Sequence, residues 1–155
     1  MLISTSKFGS VEIDDAKIIV FKKGLLGFED YKEYAIINTQ NSNPFYWLQS
    51  IHNKEIAFPC INPYVVFPSY SPKVSEAILE EMNIDSDEHI IILTTVTVPN
   101  NPHFATTNLA APIIINTKNN SGIQYVLQSD EYSVRHFLFQ PDKEAQNADT
   151  IAKAK

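Results

Sequence analysis

Short runs of β-branched and aromatic residues recur along this chain, separated by clusters of Gly, Pro, Asn and Ser. Residues 17–21, 34–37, 45–51, 56–58, 88–98, 112–116 and 122–128 have the composition and length of strands. Turn-forming stretches stand between them: Lys23-Gly24, Asn41-Ser42-Asn43-Pro44, Pro99-Asn100-Asn101-Pro102 and Asn119-Asn120-Ser121-Gly122. Many short strands with such punctuation predict a mainly β fold, an antiparallel barrel or a strongly twisted sheet sandwich.

One stretch changes period. Val74, Ile78 and Met82 recur every four residues with Ala77 beside them, which predicts one prominent helix over about 72–83. Ser71 is placed as its cap, Pro72 as its first residue and Asn83 as its end. A second short helix or strand is expected within 131–137. Residues 1–140 read as a single β-rich domain, and 141–155 as a polar, alanine-rich tail that frays outside it.

Three apolar features invite two readings each. Alternation sends Phe45, Trp47 and Gln49 to one face of their strand and Tyr46, Leu48 and Ser50 to the other. Trp47 is then either core or an aromatic anchor for a partner. Four prolines, Pro59, Pro63, Pro68 and Pro72, argue against a continuous central strand through this region. Its apolar residues, among them Phe58, Tyr64 and Tyr70, form either a rigid docking surface or a lid over an open barrel end. Gly24 and Gly27 lack the third glycine of a dinucleotide fingerprint and are expected in a tight turn with positive φ.

Charge narrows the function. The chain has 155 residues and a net charge of −6, and no Lys or Arg falls between Lys73 and Lys118. Glu76, Glu80, Glu81, Asp85, Asp87 and Glu88 all lie in that gap and account for the whole excess. A basic stripe for phosphates is absent, so direct nucleic-acid binding is not expected. The acidic stretch is either a solvated helix face or an attractor for a basic protein surface.

Catalytic chemistry finds little to use. His52, His89, His103 and His136 have no helical metal spacing, and one cysteine excludes a cysteine-rich zinc site. Cys60 reads as a buried, inert thiol rather than a nucleophile. No cofactor is implied. The lone cysteine, the absence of a signal-peptide layout in Met1-Leu2-Ile3-Ser4 and the shortness of the apolar runs predict a cytoplasmic protein, off the membrane. Two rival readings remain on these residues alone: a small enzyme using Cys60, and a barrel that senses a small molecule.

Four motifs in order resemble the bacterial flagellar assembly factor FliW family. They are Phe21-Lys22-Lys23-Gly24-Leu25-Leu26-Gly27-Phe28-Glu29 with Tyr31 and Tyr34, then Pro44-Phe45-Tyr46-Trp47-Leu48-Gln49-Ser50 with Ala57-Phe58 and Tyr70. Ala105-Thr106-Thr107-Asn108-Leu109-Ala110-Ala111-Pro112-Ile113-Ile114-Ile115-Asn116 follows, then Gln124 and Tyr132-Ser133-Val134-Arg135-His136. The resemblance covers about residues 1–138. It departs from the family pattern at Leu26, where proline is usual, at Thr107, where an aliphatic residue is usual, and across 59–62. None of these changes removes a charged or reactive group.

The resemblance implies a non-enzymatic partner switch. Proteins similar to this one bind newly made flagellin, and also CsrA, a small dimeric RNA-binding protein that represses flagellin translation. Flagellin occupying the factor releases CsrA; export of flagellin frees the factor to capture it. Linkage then requires each partner to lower the other's affinity by the same factor. A monomer is expected. Glu76, Glu80 and Glu81 are the residues expected to engage CsrA, because they belong to the one-signed stretch. Phe58, Asn62, Tyr64 and Tyr70 join them as candidate partner-binding residues. Asn108 and Leu109 either tie down the turn entering the next strand or present a small uncharged patch to flagellin.

Overall fold

The computed structural model of the chain describes residues 1–38 and 44–139. The expected tail 141–155 and most of the turn at Asn41-Ser42-Asn43 lie outside the described residues. The strands are β1 (Leu2–Thr5), β2 (Gly9–Glu12), β3 (Ile19–Val20), β4 (Glu33–Ile37), β5 (Phe45–Ser50), β6 (Ala57–Ile61), β7 (Ile90–Thr97), β8 (Thr106–Thr107), β9 (Ile113–Asn116), β10 (Ser121–Gln124) and β11 (His136–Phe137). The helices are α1 (Pro63–Val66) and α2 (Glu76–Glu81).

Seven strands close into a barrel in the order β7-β6-β5-β4-β3-β10-β9, with β9 returning to β7. The neighbours are antiparallel except β3 and β10, which meet in parallel at Val20 and Ser121. Of the two architectures the strand pattern allowed, this is the barrel. Closure removes the free edges that a sheet sandwich would leave. Tyr34, Leu48, Cys60, Leu93, Ile113 and Ile115 fill its interior, as alternation along each strand dictates. Tyr46 and Leu48 face that core, while Phe45 packs on a second cluster of Ile61, Val96, Ala105 and Leu138.

Strand β6 runs through Pro59, against the expectation that proline would stop it. Ser50 donates its N–H to the Ile56 carbonyl at 2.9 Å, which fixes the hydrogen-bonded pairs of β5 and β6 at even positions. Pro59, opposite Trp47, is therefore a non-bonded pair whose nitrogen faces away from β5. On that side β7 pairs with Cys60 and Ile61, and the ladder ends there, next to the residue that has no N–H to donate.

The acidic helix is shorter than its periodicity predicts. It begins after Ser75, whose Oγ accepts the Ile78 N–H at 3.4 Å, rather than after Ser71. Ser71 instead donates its N–H to the Tyr132 hydroxyl at 2.9 Å; residues 71–75 are non-helical and Pro72 opens no helix. Leu79 rather than Ala77 joins the apolar side, and Ala77 is exposed. Asn83 ends the helix as expected: at φ 57° it gives a two-bond C-terminal cap, Asn83 N–H to Glu80 carbonyl and Ile84 N–H to Leu79 carbonyl.

Two further elements lie outside the pattern reading, and a third, the short element expected in 131–137, is present but brief. β1 and β2 form a separate hairpin outside the predicted strands. Helix α1 is a single turn after Asn62, whose Oδ1 accepts the Tyr64 N–H at 3.0 Å, with Pro63 in the first position. In 131–137 only the two-residue β11 is regular. Both expected turn glycines have positive φ, 66° at Gly24 and 84° at Gly27. Phe28 donates to the Leu25 carbonyl at 2.8 Å, so Leu26 occupies the turn position that proline favours. Here Leu26 uses the N–H that proline would lack, bonding Gln124 Oε1 at 3.0 Å.

Candidate partner-binding surfaces

Strands β8 and β9 follow one another along β7, but five residues, 108–112, span a gap that Thr94 and Thr95 cross on β7. The surplus loops out. Asn108 anchors the loop: its N–H reaches the Thr95 carbonyl, and its Oδ1 accepts the N–H groups of Ala110 and Ala111 at 3.0 and 3.1 Å. Leu109 turns inward with no exposed surface. Pro112 closes the loop, and β9 starts at the next residue, where a backbone donor is available again.

Tyr70 meets this loop from outside. Its hydroxyl donates to the Leu109 carbonyl at 2.6 Å, and its ring packs 4.7 Å from Tyr132 and 5.8 Å from Tyr64. Phe67 extends the cluster to Tyr132 and to His136. Burial, aided by Tyr64 and Tyr132, pushes the Tyr70 phenol well up, so it remains a neutral donor. Burial lowers the His136 imidazole pKa, favouring its neutral form.

The structure thus gathers Asn62, Tyr64, Tyr70, Asn108 and Leu109 around one aromatic platform. Only Asn62 and Tyr64 of these five are exposed. Both line a cavity of about 490 Å³ with Ile36, Tyr46, Ile91 and Asp87. It adjoins a second, of about 690 Å³, through the shared Ile36 and Ile91 at the barrel mouth. Phe58 lies apart, edge-on to Phe28 at 4.9 Å. Phe67, Tyr132 and His136 belong to the platform but were not among the candidate residues. Their density of rings at 64–70 and 132–136 was the available signal.

Glu76, Glu80 and Glu81 are all exposed, and Glu81 sits 3.7 Å from Lys23. Trp47 is half-buried, with Phe8 edge-on at 5.8 Å and the Lys7 ammonium 5.0 Å from the ring centre. It is covered from outside the barrel by the β1–β2 hairpin tip rather than sealed in the main core.

Cys60 has no exposed surface, and burial pushes its thiol up to about 12, which leaves no thiolate for nucleophilic attack at neutral pH. Among the described residues no group of three His, Cys, Asp or Glu stands close enough to hold a metal. Among the same residues no helix is long and apolar enough to cross a membrane. Thr107 is fully buried, and its hydroxyl lies 2.6 Å from Thr94 Oγ1 and 2.8 Å from the Thr95 carbonyl. A polar residue is tolerated there because it is satisfied.

A protein-family model described as FliW protein matches residues 2–138. The chain belongs to the FliW family. It is 38% identical over 136 residues to the flagellar assembly factor FliW of Syntrophus aciditrophicus, covering 88% of this chain and 86% of that one. It is 39% identical over 146 residues to the factor of Thermoanaerobacter pseudethanolicus, covering 94% and 97%. A crystal structure of the flagellar assembly factor FliW superposes with a TM-score of 0.83 at 29% identity, covering 91% of this chain and 99% of that chain. FliW is a family of assembly factors and not of enzymes, so the reading of Cys60 as a catalytic nucleophile is set aside.

Proposed function

We propose that this FliW family member acts in the cytoplasm as a partner switch, binding flagellin and, alternatively, the translational repressor CsrA. The observation that carries the reading is the family match along residues 2–138. The acidic stretch supports it, because an RNA-binding partner presents basic surface, and opposite charge raises the rate of encounter.

The test is co-purification with flagellin and with CsrA separately, then together. The expected result is a complex with each, and mutual weakening by one common factor when both are present. A protein that binds neither, or binds both without affecting either affinity, removes the switch.

A second reading rests on the adjoining cavities, whose linings mix aliphatic side chains with Asn62, Asp87, Asp14 and Lys17 and are of a size for a small molecule. It predicts ligand-dependent thermal stabilisation in a metabolite screen. No stabilisation across the screen removes it.

A further inference from the structure

Helix α2 covers its own sheet incompletely. None of its six residues is fully buried, and only Ile78 and Leu79 are half-buried. Alternation along β7 turns Leu93 inward and Ile90 and Ile92 outward; along β9 it turns Ile113 and Ile115 inward and Ile114 outward. Between these outward isoleucines and α2 runs a groove of about 280 Å³, lined by Val74, Leu79, Ile84, Ile90, Ile92 and Ile114. All but Ile114 keep partial exposure. The C-terminal cap of α2 sets one wall, since it is the bond from Ile84 to the Leu79 carbonyl that folds Ile84 back beside Leu79.

The charged side chains that line the groove have one sign. Asp85 and Asp87 line it directly, and Glu76, Glu80 and Glu88 are exposed on adjoining turns. Among the described ion pairs only Glu81 of this stretch has a basic partner, Lys23. The lining includes no Lys or Arg; Lys73, exposed just before the lining residue Val74, is the one such base next to it in sequence. We propose that this groove is a docking site for a basic amphipathic protein segment that inserts one aliphatic side chain between α2 and β7.

Charge complementarity selects the occupant. A nucleic acid would be repelled, since every charged group of the lining is acidic. The acids would hasten encounter, and the aliphatic contact would set the lifetime of the complex. This deepens the CsrA reading above and rests on it only for the identity of the natural partner.

The test separates the two. Isotope-labelled full-length protein is titrated by NMR with three synthetic amphipathic peptides of equal length. The first has Lys and Arg around a central leucine, the second has that leucine replaced by serine, and the third has the basic residues replaced by Glu. CsrA is titrated in parallel. The first peptide is expected to move the amides of Leu79, Ile84, Asp85, Asp87 and Ile90. The serine and acidic peptides are expected to bind about tenfold more weakly or worse, as the loss of one buried leucine or of charge attraction implies. The exposed double variant Asp85→Lys with Asp87→Lys, checked for an otherwise native spectrum, is expected to lose the first peptide. Equal binding of the serine peptide, or shifts confined to another face, overturns the groove. Groove shifts with the peptide but none with CsrA retain the groove and remove CsrA as its occupant. CsrA binding without peptide shifts in the groove overturns the groove and leaves the switch standing.

Discussion

Tyr70 donates its hydroxyl hydrogen to the main-chain carbonyl of Leu109 at 2.6 Å, across 39 residues of sequence, and neither side chain is solvent-exposed. The bond joins the proline-rich segment after β6 to the loop between β8 and β9. Tyr70→Phe keeps the ring packing and strands a buried carbonyl, at a cost of about 1–3 kcal/mol. Urea unfolding is expected to show that loss with an unchanged m-value; unchanged stability would mean that water replaces the hydroxyl.

The loop at 108–112 yields a paired test. Asn108→Ala removes an acceptor for two backbone N–H groups and is expected to cost about 1–2 kcal/mol. Leu109→Ala opens a cavity in a fully buried site and is expected to cost about 2–5 kcal/mol. If these are structural residues, both variants melt lower and weaken flagellin and CsrA alike. Normal melting with selective loss of flagellin would make them interface residues.

Gly24 and Gly27 separate backbone strain from steric overlap. Both have positive φ, so alanine costs about 1–2 kcal/mol at either. A Cβ on Gly24 would also stand 2.6 Å from the Glu29 Cα, whereas one on Gly27 meets nothing within 4 Å. Gly24→Ala is expected to be clearly more destabilising in thermal melts, and equal losses would refute the overlap.

Cys60 gives a pH signature. Its thiol is held at about 12 by burial, above its ordinary value of 9.0, so the folded state keeps a proton that the unfolded state releases. Stability is therefore lost as pH rises through about 9, with a slope approaching 1.4 kcal/mol per pH unit for that one proton. Between pH 9 and 10 the wild type is expected to lose more stability than Cys60→Ala, since Tyr34 and Tyr70, also raised by burial, contribute alike to both proteins. Parallel pH profiles would show an accessible thiol, as would rapid alkylation of the native protein.

Charge reversal at Glu76, Glu80 and Glu81 tests the acidic helix. All three are exposed, so replacement by lysine is expected to change stability little. Association with CsrA should slow, most of all at low ionic strength, where screening is weakest. Stopped-flow rates that match wild type at low salt would detach the helix from that partner.

Local rules read directly from the residues held wherever the interaction is local. β-branched runs between turn clusters became strands, Gly24 and Gly27 took positive φ, Asn83 ended its helix, and Pro112 preceded β9. Ser71 starts no helix; the segment that follows it is non-helical and is tied to a tyrosine 61 residues away, a partner that no local rule sees. Ala77 came out exposed for the same kind of reason, since which side of α2 is covered depends on β7 and β9.

By itself the sequence determined the strand-rich class, the one-signed surface and the ordered motifs of the FliW family, because composition, charge and spacing are properties of the chain alone. Only the tertiary structure decided barrel over sandwich, since closure depends on β9 pairing back to β7. It also decided that Pro59 lies inside the sheet, because which face of a strand lacks a partner is set by the neighbouring strand's register. Likewise Tyr70 and Leu109, polar-tipped and apolar candidates for a surface, meet inside through a bond that forms only when distant segments are brought together.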